Sequence, residues 1–365
     1  MHLGKVAYGR KVFDLREGFE SVRDKRREPK VTPAFVAAAV FFCGLLRTRS
    51  FNALEPKLRD KPFRRLIDAP PDGEVIGSAD TLSRALRRMD MATVRRLSFG
   101  IVQKAGRNKV FREGWHGALH TVAIDGWEAI CSYNRHCDRC LVRHVRVEQR
   151  DGTVVEQAQY YHRYAVAMLT VVKQLRMSAV IIARKNGDEP LKEALTIWDK
   201  QPPHEVFDDK KRGERLELWD CRDITTLSTY DGPIRVVRAV VKDHAQPSKP
   251  SHTWCMVTTG VAATRLSPRQ VLAIARGRWH IENTGFHQWV TRWYFEHVFV
   301  HDAVGIQAIF WLFFAGFNLL TLFLYRQLCS YGRDRGRDVT RTISRLIDEI
   351  NDDLARLDCS PWDSS

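Results

Sequence analysis

The sequence predicts a mixed fold, α+β or α/β, because its hydrophobic period changes twice along the chain. Apolar residues recur at helical spacing up to about Gly114. They run in short strand-like blocks from Leu119 to Thr258 and return to helical spacing from Ser267. With 365 residues and 44% hydrophobic content the chain can bury a sizeable core, which excludes a disordered tail.

The first helix of the N-terminal region is expected over Thr32 to Arg47, where an apolar run follows Pro33 at a position that suits a first helical turn. A loop is expected at Asp68-Ala69-Pro70-Pro71-Asp72-Gly73. Ser78 then offers an N-cap, and Leu82, Leu86 and Met89 fall on one face with Arg84, Arg87 and Arg88 on the other. This pattern fits a small helical DNA-binding unit, and an ordinary amphipathic helix with a solvated basic face shares it.

Strands are expected at 119–124, 143–149 and 154–159, the last two joined by a hairpin turn at Asp151-Gly152. Tyr164 to Val172 and Ala179 to Ala183 read as buried strands, and Leu191 to Trp198 as a helix closed by Pro202-Pro203. Further strands are expected at 215–223, 234–241 and 253–258. Ser267-Pro268 then opens a helix that runs through Glu282 to about Trp293. Val304 to Tyr325 is uncharged and as long as a membrane span. Gln307, Asn318 and two glycines inside it favour a buried core helix instead, and no membrane partner is expected. Tyr331 to Arg341 reads as a basic linker and Thr342 to Leu357 as a last amphipathic helix. The chain has no internal repeat.

The 58 Lys and Arg against 43 Asp and Glu leave a formal charge of +15. That excess favours a polyanionic partner through counterion release, and double-stranded DNA is the expected one; solvated basic faces are the bland alternative. Eight cysteines scattered along a chain with no secretory h-region fit a reducing, cytoplasmic compartment better than a disulfide framework.

Two constellations carry chemistry. Arg278 and Glu282 stand one helical turn apart, and far upstream Thr121-Val122-Ala123-Ile124-Asp125 reads as a short strand ending in an acid. Two such carboxylates suggest an oxygen-ligand site for Mg²⁺ or Mn²⁺ that cuts nucleic acid, with a third acid expected between them. A turn acid is the commoner reading of an isolated Asp-Gly. The second constellation is His136-Cys137-Asp138-Arg139-Cys140 with His144, whose spacing suits a small zinc clip; the alternative is a pair of half-buried thiols. Trp279, Trp289 and Trp293 read as core packing, with stacking on bases as the alternative.

The stretches Tyr160 to Leu169, Trp219 to Arg238, Arg276 to Phe286 and His297 to Asp302 resemble the catalytic domain of bacterial DDE transposases of the insertion sequence 4 family. The resemblance covers roughly residues 119 to 328 and, more weakly, Phe13 to Asp90. It implies a ribonuclease H-like mixed sheet with a β-rich insertion, two Asp and one Glu as metal ligands, and the ends of a mobile element as substrate. It further implies a nucleoid-associated protein, a homodimer when bound to DNA.

By position Asp125 resembles the first ligand and Glu282 the last, while Arg278 resembles the signature arginine, a candidate phosphate contact. Ala275 and Trp289 stand where that signature carries Tyr and Lys. The segment with the second Asp has no counterpart, since only Thr170 to Ser178 separates the flanking strands. Asp188 is a stand-in candidate, although its surroundings resemble the family's next segment. This departure predicts a compact but damaged sheet and leaves two readings, an active transposase or a remnant that binds DNA without cutting it. The expected organisation is a helical DNA-binding region at 1–115, a core at 116–295 with the insertion at about 200–260, and C-terminal helices at 296–365.

Overall fold

The structure is a computed structural model that describes residues 11–70, 77–108, 122–169, 180–182, 189–198, 201–222, 224–226, 232–245, 250–277, 281–323, 345 and 347–354. In chain order the N-terminal helices are α1 (Leu15–Glu20), α2 (Pro33–Leu45), α3 (Phe51–Lys57), α4 (Lys61–Leu66), α5 (Ala79–Leu86) and α6 (Met91–Arg107). The strands β1 (Val122–Ser132), β2 (Leu141–Glu148), β3 (Val154–Leu169) and β4 (Val180–Ile182) precede α7 (Glu189–Trp198). Then come β5 (Glu205–Asp209), β6 (Glu214–Arg222), β7 (Ile234–Asp243), β8 (His252–Thr259), α8 (Gly260–Arg265) and α9 (Pro268–Gly277). A π-helical turn at Ile281–Phe286 leads into α10 (His287–Trp293), and α11 (Ala303–Phe323) follows. The fold is therefore α+β.

The chain divides into two compact units, each discontinuous in sequence. One comprises Met1–Glu113, Asp125–Val166 and Thr284–Ser365; the other comprises Gly114–Ile124 and Ala167–Asn283.

In the first unit the two N-terminal helices expected from the sequence, at Thr32 and at Ser78, start where it places them. Thr32 Oγ1 accepts from Phe35 N at 3.1 Å and Ser78 Oγ accepts from Thr81 N at 3.2 Å, each satisfying a donor that has no intrahelical partner. The centre of this unit is α11, which packs on α2, α5 and α6. It lies close against α2: a Cβ added at Gly44 would lie 2.5 Å from the Phe313 ring, so only glycine admits that ring. By length and composition α11 is able to cross a membrane, and here it is the core helix, with Ile306, Leu312, Phe313 and Ala315 buried.

The first unit also carries a three-stranded sheet in the order β1-β3-β2, with β1 and β3 running across the division between the units. The hairpin joining β2 and β3 closes through Gln149 N to the Thr153 carbonyl at 2.7 Å, and Gly152 takes a φ of 82° that glycine adopts without strain. Two strands differ from expectation. β1 continues seven residues beyond Asp125, because Trp127 and Ile130 find burial. β3 is one strand of 16 residues where two short ones were expected. Trp127 lies against Phe286, Trp289, Phe295, Phe310 and Phe314, with ring centroids 5.2 to 6.4 Å apart. Trp289 and Trp293 are 4% and 1% exposed, so both belong to this core; Trp279 lies outside the described residues.

The second unit is a five-stranded sheet, β4-β8-β7-β6-β5, antiparallel at every pair, with α9 packed on it. The short β5 and α8 were not expected. The described strands thus form sheets of three and five, and β4, expected in the mixed sheet, is an edge strand beside β8.

Candidate metal centre

A cluster of four potential metal ligands, Cys137, Cys140, His162 and His301, forms in the first unit from three separate pieces of chain. After β1 the backbone reverses as Ser132 Oγ accepts from Asn134 N and Arg135 N at 3.2 and 2.8 Å. Cys137 to Cys140 then make a tight turn, with Cys140 N donating to the Cys137 carbonyl at 3.1 Å and Cys137 N donating to Cys140 Sγ at 3.3 Å. This turn points both thiols to one side. The pairing of Leu141 with Tyr161 continues one step to set His162 of β3 across from Cys140. His301 arrives from the residues just before α11. Its neighbour Asp302 caps that helix, with Oδ1 accepting from Val304 N at 3.0 Å and Gly305 N at 2.9 Å.

The donor atoms converge closely. Cys137 Sγ and Cys140 Sγ are 3.8 Å apart, and each lies 3.4 Å from His162 Nε2. Cys140 Sγ lies 3.2 Å from His301 Nε2, and the four donors all fall within 4.8 Å of one another. The thiols are free, not joined in a disulfide. Burial lowers the pKa of His162, opposed by the charge of Asp302. Burial also lowers His301, helped by His162, Arg135 and His136, so both rings tend to be neutral with a lone pair to offer. Burial raises the Cys140 thiol. The buried Nδ1 of His301 has no hydrogen-bond partner among the described residues, which leaves Nε2 as the polar anchor of the ring.

The cluster corrects the expected zinc clip. Cys137 and Cys140 are in it, but His136 and His144 are not. The His136 ring stacks on Tyr160 at 4.9 Å, and His144 sits opposite Ala158, exposed, well along β2. Proximity in sequence pointed to His136 and His144, whereas strand pairing brings His162, and a remote loop His301, beside the thiols. No spacing signal in the sequence connects either of them to the thiols.

Asp125 is the fourth residue of β1, inside the strand, half-buried, and its Oδ1 accepts from Gly126 N at 2.8 Å. Glu282 is half-buried in the first turn of the π-helical segment. Asp125 belongs to the first unit and Glu282 to the second. Asp188 and Arg278 lie outside the described residues. Among the described residues the only group of three or more potential ligands is the Cys/His cluster. Its soft donors do not suit Mg²⁺, which takes oxygen ligands.

Arg84, Arg87 and Arg88 project into solvent from α5 and the turn after it, while Leu82, Leu86 and Met89 are buried beneath them. This is the amphipathic arrangement expected, and it leaves three guanidinium groups available to an anion.

No family model and no curated protein matches this chain.

Proposed function

We propose that this chain is a DNA transposase of the DDE type, which binds double-stranded DNA at the ends of a mobile element and cuts and rejoins its strands. The observation that carries the reading is the wording from Arg276 to Phe286, with Arg278 and Glu282 at helical spacing, following a strand that bears Asp125. The charge of +15 and the exposed Arg84, Arg87 and Arg88 support a DNA partner. The ribonuclease H-like core, the action as a dimer and a place at the nucleoid belong to the same reading and rest on the resemblance.

The chemistry is two phosphoryl transfers. Water attacks phosphorus at the element end and the element's 3′ oxygen leaves, taking up a proton to become a hydroxyl. That hydroxyl then attacks a target phosphorus and displaces the target's own 3′ oxygen. Asp125 and Glu282 are the oxygen donors the reading assigns to Mg²⁺ or Mn²⁺, ions that activate an attacking oxygen and stabilise a leaving one. They are two of the three carboxylates the resemblance implies. Arg278 would hold a phosphate beside them.

A second reading has its own observation. Only Thr170 to Ser178 stands where relatives carry the second Asp with its strand, which favours a remnant that binds DNA and does not cut it. Incubating the full chain with supercoiled plasmid and Mn²⁺, beside Asp125→Ala and Glu282→Ala, decides between them. Nicking that both variants lose supports the enzyme. DNA binding without nicking supports the remnant, and a chain that neither binds nor nicks DNA sinks both.

A further inference from the structure

We infer that Cys137, Cys140, His162 and His301 form a closed Zn²⁺ site that fastens the β2–β3 hairpin to the N-terminal end of α11. The donor chemistry selects the ion. Two thiolates with two imidazoles suit zinc, whereas Mg²⁺ and Ca²⁺ take oxygen and iron–sulfur clusters take mostly thiolates. The spacing agrees. Bonds of about 2.3 Å to sulfur and about 2.0 Å to nitrogen in a tetrahedron put neighbouring donors about 3.3 to 3.8 Å apart. Four of the six separations in the cluster are 3.8, 3.4, 3.4 and 3.2 Å, and the other two are at most 4.8 Å, a spread that a bound ion would draw in slightly. Binding releases the two thiol protons, so one Zn²⁺, two thiolates and two neutral imidazoles make an uncharged centre that needs no counterion. With four protein ligands no position remains for water, and the site is structural rather than catalytic.

The hairpin needs such a fastening. No residue of β2 is buried; its positions alternate between exposed and half-buried along most of its length, and Leu141, Val142, Val154 and Val155 are all exposed. Hydrophobic burial therefore does not hold this strand in place, and an edge strand that buries so little is poorly fixed by pairing alone. The metal supplies the anchor at the hairpin's base. Three donors lie between Cys137 and His162, a local half-site, and His301 closes it from the far side of the sequence. Because β3 lies beside β1, the same centre fixes the strand next to the one that carries Asp125.

The test uses the full chain, reduced and stripped of metal, titrated with Co²⁺ and followed by absorption. We expect one Co²⁺ per chain, with the intense visible bands of a four-coordinate ion and a thiolate charge-transfer band, all displaced by one equivalent of Zn²⁺. Cys137→Ser and Cys140→Ser each weaken the charge-transfer band, and His162→Ala and His301→Ala each lose the four-coordinate spectrum. His136→Ala and His144→Ala leave it unchanged. Should the ligand variants fail to fold, elemental analysis of the wild-type protein as purified still decides, with one zinc per chain expected. A reduced chain that takes up no Co²⁺, a spectrum that survives loss of His162 and His301, or a purified protein with a Cys137–Cys140 disulfide and no zinc overturns the inference. No DNA enters these measurements, so their outcome is independent of the transposase reading.

Discussion

Cys140 and His301, remote in sequence, lie with Sγ and Nε2 3.2 Å apart, so the loop before α11 is held against the turn that opens β2. A metal bound there ties folding to metal content, because an ion that binds only the folded chain stabilises it by mass action. Stripping the reduced protein with a chelator is expected to lower its melting temperature, and adding back Zn²⁺ to restore it. Melting curves that coincide with and without chelator would rule this out.

Trp127 stacks on Phe286 with ring centroids 5.7 Å apart, and four further aromatic rings surround it. Its removal leaves a cavity that these large rings fill poorly. Trp127→Ala is expected to cost about 3 to 5 kcal/mol, and Trp127→Phe clearly less. Denaturant unfolding of the two variants provides the comparison, and equal midpoints would contradict the packing argument.

In the second unit Arg235, 1% exposed, is held by Asp220 through two hydrogen bonds of 2.5 and 2.9 Å, and it also donates to the Leu266 carbonyl. Removing the carboxylate strands a buried guanidinium. Asp220→Ala is expected to destabilise this unit by about 3 to 5 kcal/mol. The double variant Asp220→Leu with Arg235→Met should recover much of that loss, since apolar groups of similar size leave no buried charge. If the single variant unfolds at the wild-type denaturant concentration, the pair is not a structural element.

Glu128 accepts hydrogen bonds from Arg163 and, at 2.8 Å, from Arg143, and the Arg163 hydrogen bond is the main cause holding its carboxyl below the ordinary glutamate value. A carboxyl lowered in the folded state stabilises the protein above its unfolded pKa and loses that contribution as pH falls through the folded value. The first unit should therefore lose stability in acid, below the ordinary value of 4.5, and Glu128→Gln should flatten that limb. Parallel acid limbs in variant and wild type would show that Glu128 is not responsible.

If Arg84, Arg87 and Arg88 touch DNA backbone, changing them to alanine weakens binding uniformly across sequences. The slope of log affinity against log salt should become shallower by about 0.9 for each phosphate no longer neutralised. Fluorescence anisotropy over a salt series measures this. An unchanged slope would assign the three arginines to an ordinary solvated face.

The sequence by itself determined what short-range chemistry controls. Thr32 and Ser78 cap their helices because each hydroxyl needs only a backbone N–H three residues on. The Asp151-Gly152 hairpin closes within five residues, the CxxC turn sets two thiols side by side, and the composition of α11 marked it as core. Tertiary structure decided whatever depends on a remote partner. β1 outran its expected end because Trp127 found rings from 286 to 314, and β4 joined β8 because a ladder is completed across the chain, not along it. The histidines followed the same rule. His136 and His144 were near in sequence, but ligation requires donors a few ångströms apart in space, and only strand pairing and the packing of α11 bring His162 and His301 that close to the thiols.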